Sequence, residues 1–184
     1  LLGLPTPFTA LQILWINIIM DGPPAMTLGL EPTRPGIMRE TPRPVSAPIL
    51  TGQRLARLVL YGMTMAAGTL YAFQHGLATD LPYALTLAFT TFVLFQFFNV
   101  FNARAETGSA FNRQFFANGK LWQALTLVIG LQMLVVYWEP AQLVFGTTAL
   151  TAEDWLFAMA LATSVLLLDE ARKLIRRIIS YFNQ

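Results

Sequence analysis

The 184 residues are 55% hydrophobic and only 12% charged, with a net charge of +2 and a mean hydropathy of +0.53. Soluble domains hold roughly 25% charged residues, so this balance excludes an ordinary soluble domain and points to an integral membrane protein. The absence of cysteine excludes disulfides, thiolate metal sites and cysteine nucleophiles, and the pI near 9.2 does not signal nucleic acid, because the basic residues flank membrane-length segments.

Apolar runs at about 9–29, 56–75, 82–102, 121–138 and 153–170 predict an all-α polytopic bundle of five transmembrane helices. Residues 1–8 then end an external loop, 30–55 form a cytoplasmic loop rich in Pro and Arg, and 56–184 hold the other four helices with a cytoplasmic tail. The 12 Lys and Arg all fall after the first, third and fifth spans, whereas the connections 74–82 and 139–154 carry none. The positive-inside rule makes the basic face, and with it the C-terminus, cytoplasmic. Five spans then put Leu1 outside with no targeting element to send it there, so the expectation is a C-terminal fragment of a longer chain. Compact loops and the lack of eukaryotic sorting signals favour a bacterial plasma membrane.

The first span places one carboxylate, Asp21, in the middle of an apolar run, followed by Gly22, Pro23 and Pro24. A carboxylate at the bilayer centre costs about 2.5–3.5 kcal/mol or more, which marks a functional site by default. Prolines remove backbone donors and leave carbonyl oxygens without helical partners, so the helix is expected to unwind at Gly-Pro-Pro. Irregular backbone at membrane depth survives only where it is buried or lines a cavity. A buried anion beside freed carbonyls is a ligand set for a hard cation. Asn17, four residues before Asp21, shares its helical face, with Met20 alongside. The simpler reading is an Asp paired with a neighbouring helix and prolines that only kink the chain.

The loop after this span is Pro-broken, with Arg34, Arg39 and Arg43 available to headgroups or to a partner domain. The second span carries Gly62, Ala66 and Gly68, small residues that let helices approach closely. In the third, Gln96 lies deep, suited to interhelical hydrogen bonding or to an ion pathway, while Asn99 and Asn102 fall near the cytoplasmic end. Tyr137 and Trp138 suit the external interface, and His75 falls in an external loop. Asp169 and Glu170 among four cations read as an interfacial ion-pair cluster followed by an amphipathic tail. No Walker A, Rossmann glycine pattern, HExxH or nucleophile elbow occurs.

The stretch Leu14–Pro32, LWIN-IIM-DGPPA-MTLGLEP, resembles the sixth membrane helix of P-type calcium-transporting ATPases. The family order continues through MRETPR and PIL-TG in the following loop, NVFNARAE ending the eighth helix and LLLDEARKLIRR ending the tenth. The resemblance covers nearly the whole chain and is nearest the secretory-pathway calcium/manganese pumps and their bacterial relatives. It implies that the five spans are helices six to ten of a ten-helix pump. It also implies that Asn17 and Asp21 are calcium ligands. Met20 stands where members with two calcium sites have a threonine, and Gln96 where they have a glutamate, so one site per cycle is expected.

The remaining oxygens would come from upstream helices, including a fourth-helix glutamate. Phosphorylation by ATP, with Mg2+, would occur at an upstream Asp-Lys-Thr-Gly-Thr motif that does not occur in these residues. The loop arginines Arg34, Arg39 and Arg43 would face that phosphorylation domain. The expected function is therefore the ion-binding part of an ATP-driven pump exporting Ca2+ from the cytoplasm. The alternatives are a pump that also or mainly carries Mn2+ and a non-catalytic membrane assembly module. The partners are the lipid bilayer and the upstream parts of the same pump, with no nucleic acid.

Overall fold

A computed structural model describes residues 5–31, 38, 50–105, 109–111 and 115–182. Among these the regular structure is helical, with no strand. The first predicted span is not one helix. It divides into α1 (Ala10–Trp15), a π-helical turn (Ile16–Met20) and α2 (Gly22–Leu28), with Asp21 at the bend between the last two. Helix α1 starts on a capping box: the Thr9 hydroxyl accepts from Gln12 N (3.3 Å) and Gln12 Oε1 accepts from Thr9 N (3.1 Å). The wide turn closes where Asp21 N donates to Ile16 O at 3.1 Å, five residues back rather than four.

The expectation that the chain unwinds at Gly22–Pro24 is therefore corrected. These three residues are the first turn of α2, where a missing N–H breaks no helical hydrogen bond and the fixed φ of proline favours the helix. The consequence falls upstream. An unbroken α-helix would pair the carbonyls of Ile19 and Met20 with the N–H groups of residues 23 and 24, which as prolines have none. The backbone widens before Asp21 instead.

The later helices begin within a few residues of the predicted apolar runs, and the last continues past 170 to Phe182. Helix α3 (Gly52–Gly76) is capped by Thr51, α4 (Leu81–Arg104) by Asp80, and α5 (Gly119–Tyr137) by Asn118, each side chain accepting from the N–H three residues on. A short α6 (Glu139–Phe145) occupies the fourth connection and ends at Gly146, whose φ of 65° is the left-handed conformation that glycine tolerates. Helix α7 (Ala152–Phe182) has 31 residues, about 46 Å at the usual rise. Of the described helices, α4 and α5 are long and apolar enough to cross a membrane. Polar and charged residues at the ends of α3 and α7, and the break before α2, keep the others below that mark.

Helix α4 is the axis of the bundle. Its sequence is apolar around the whole circumference, the pattern of a helix buried on all sides. Leu87, Leu94 and Phe95 pack with Tyr61, Met65 and Ala72 of α3 and with Ala158, Ala162 and Val165 of α7. Phe89 and Val93, on another face, pack with Ile16, Met20 and Val128. The small-residue expectation is partly redirected. The ring of Phe95 fills the space beside Gly68, but a methyl at Gly62 would meet nothing and Ala66 is exposed. The second close approach is at Gly76, where a Cβ would lie 2.6 Å from the Ala84 Cα. His75 belongs to the last turn of α3 rather than to a loop, its ring 4.7 Å from that of Phe157.

Polar contacts gather at the two ends of the bundle. At one, Tyr83 donates to Asp154, which also accepts from Thr151 N at 2.7 Å. At the other, Tyr61 donates to Asp169, which pairs with Arg172 (2.7 Å) and Lys173 (2.8 Å). Asp169 is fully buried, so the group read as an interfacial cluster has an interior carboxylate at its centre.

Candidate functional site

Asp21 opens onto a cleft of roughly 170 Å³ between α2 and the second half of α4. Met20, Asp21, Pro24, Ala25 and Leu28 form one wall, and Gln96, Asn99, Val100 and Ala103 the other. The α4 residues recur at spacings of three and four, so they share a face. Asp21, Met20 and Gln96 are thus brought together. Asn99, read from the sequence as a boundary residue, joins them; its spacing of three from Gln96 was the available signal.

Asn17 does not line this cleft. It is exposed, and its Nδ2 donates to the Ile13 carbonyl at 2.9 Å. Met20 is 1% exposed, packed among Ile16, Phe89, Val93 and Val128. Of the Gly22, Pro23 and Pro24 break residues, only Pro24 reaches the cleft wall. Arg34, Arg39 and Arg43 lie outside the described residues.

The Asp21 carboxylate has no ion-pair or side-chain hydrogen-bond partner among the described residues. Nor do three or more His, Cys, Asp or Glu gather anywhere among them. The donor set at the cleft is one carboxylate and two carboxamides, all hard oxygen ligands. This is fewer oxygens than the 6–8 that calcium takes.

The α1 side of the break is held by buried polar contacts that the sequence did not single out. Trp15 Nε1 donates to Gln132 Oε1 (3.1 Å), and Gln132 Nε2 donates to Thr90 Oγ1 (3.2 Å). Gln12 Nε2 reaches the Phe145 carbonyl at 3.2 Å. Gln12, Gln132 and Thr90 are all fully buried.

Comparison with known proteins agrees with the resemblance at the Asp21 motif. The chain is 40% identical over 182 residues to mouse "Calcium-transporting ATPase type 2C member 2", covering 97% of this chain and 19% of that protein. Human "Calcium-transporting ATPase type 2C member 1" is 38% identical over 179 residues, 96% of this chain and 20% of its own length. "Calcium-transporting ATPase 1" of Schizosaccharomyces pombe is 41% identical over 179 residues, again 20% of its length. The chain therefore spans about a fifth of the length of these relatives. They are eukaryotic and lend no support to a bacterial source. A family model described as "Cation transporting ATPase, C-terminus" matches residues 5–175, and the chain belongs to that family.

Proposed function

We propose that this chain is the ion-binding part of the transmembrane domain of an ATP-driven divalent cation pump, which exports one Ca2+ from the cytoplasm per cycle. The observation that carries the reading is the Asp21 carboxylate, without a partner side chain among the described residues, at a helix break that faces Gln96 and Asn99 across a cleft. An unpaired anion in an apolar segment is unfavourable unless a cation neutralises it for part of the cycle. Gln96 and Asn99 add neutral oxygens, and the Met20 thioether, buried and soft, is a poor ligand for a hard ion. Asp21 is the one carboxylate among the described lining residues, which supports one ion rather than two.

In this reading α1 and α2 form a single broken span, and α3, α4, α5 and α7 supply the other four. Arg54, Arg104, Lys120 and Arg172 then share the cytoplasmic side. Calcium's remaining ligands, ATP hydrolysis and the phosphorylated aspartate belong to parts of the pump outside this chain. Phosphorylation there would move α2 relative to α4, and separating the cleft walls would withdraw oxygens from the ion and release it.

The test is transport by the full-length pump in sealed vesicles, calcium against manganese, with the ratio of ions carried to ATP hydrolysed. One Ca2+ per ATP, lost on Asp21→Asn, supports the proposal. Preferential Mn2+ transport would assign the same site to the other hard ion, and calcium affinity unchanged by Asp21→Asn would remove Asp21 from the site.

A further inference from the structure

The two walls of the Asp21 cleft belong to helices far apart in sequence, and something must set their separation. Helix α2 has only seven residues, too few to hold a position by helical propensity. Beyond its C-terminal turn, Glu31 divides its carboxylate between two partners. Oε1 pairs with Arg104 Nε at 2.6 Å and Oε2 accepts from Asn118 Nδ2 at 2.6 Å.

Both partners are themselves tied down. Asn118 Nδ2 also donates to the Thr27 carbonyl (3.0 Å), and its Oδ1 caps α5 by accepting from Leu121 N (3.0 Å). Arg104 Nη1 donates to the Phe115 carbonyl at 2.5 Å. The Arg104 side chain is 9% exposed, so this pair is not one of the solvated surface bridges that contribute little. Its place relative to the cleft is direct. Glu31 lies three residues after Leu28, and Arg104 follows Ala103, the last lining residues of the two walls.

We propose that Glu31, Arg104 and Asn118 form a latch that sets the width of the Asp21 cleft at its cytoplasmic end. They are positioning residues for the transported divalent cation, an inference that rests on the proposed function. Glu31 acts in two ways. It fixes the end of α2 against α4 and α5, and it places negative charge beside the Arg104 guanidinium at the end of the cleft. Loss of either partner loosens the cleft.

The experiment uses the full-length pump and reads the calcium concentration that half-saturates phosphorylation by ATP. Phosphoenzyme formed from inorganic phosphate without calcium counts the folded pumps in each preparation. Glu31→Gln and Arg104→Gln should each raise the half-saturating concentration about tenfold, equivalent to about 1.4 kcal/mol. The exchanged pair Glu31→Arg with Arg104→Glu should recover part of that loss, which a merely structural defect would not do. Should the single exchanges fail to fold, Glu31→Asp and Arg104→Lys provide the same reading with smaller shifts. Unchanged half-saturation in the single variants, or an exchanged pair no better than either one, overturns the latch. A wild-type pump with no calcium-dependent phosphorylation overturns the proposed function itself. A pump that responds to calcium and loses that response on Asp21→Asn, yet is indifferent to Glu31→Gln, overturns the latch alone.

Discussion

Asp21 and Asp169 are both carboxylates on helical segments, yet their surroundings are opposite. Asp169 sits on continuous α7, fully buried, with Tyr61, Arg172 and Lys173 all directed at it. Asp21 sits where the helix is interrupted, with no partner side chain among the described residues and a cleft in front of it. One charge is neutralised by the fold and the other is left for something outside the fold. A buried carboxylate held in ion pairs fixes structure, while one without a partner is available to a ligand.

The largest effect that would break this comparison is at Asp169. Asp169→Ala takes the carboxylate from Arg172 and the acceptor from buried Tyr61, while Lys173 keeps Glu170, and should cost about 3–5 kcal/mol of stability. Thermal unfolding of the detergent-solubilised full-length protein measures it, and a change within error would mean that the cluster is solvated. Asp21→Asn should do the reverse: thermal stability unchanged or raised, and half-saturating calcium raised on the order of a hundredfold, about 2.7 kcal/mol. A large loss of stability there would make Asp21 a structural residue.

Packing sharpens the same contrast. Gly76→Ala drives a methyl toward the backbone of Ala84 and should cost about 1–3 kcal/mol, whereas Gly62→Ala meets open space and should be neutral or stabilising. The smallest expected effect is on the α1 side of the break. Gln132→Leu severs the contacts with Trp15 and Thr90 and should cost about 1 kcal/mol in the same unfolding measurement. If it also weakens calcium dependence, those contacts hold the π-helical turn in the shape the site needs.

Local chemistry made much of this molecule legible in its sequence. Apolar length and prolines next to a lone carboxylate are read within a few residues of themselves, so the helices and the candidacy of Asp21 could be inferred directly. The Asp21 motif was also specific enough to identify the family. Other features depended on neighbours distant in the chain. Asn99 faces the cleft only because α2 packs there, and Asp169 is interior only because α3 covers it. Glu31 finds Arg104 73 residues away. Helical periodicity fixes which residues share a face, but which neighbour that face meets is a property of tertiary packing, and this is where the partners of each charge were decided.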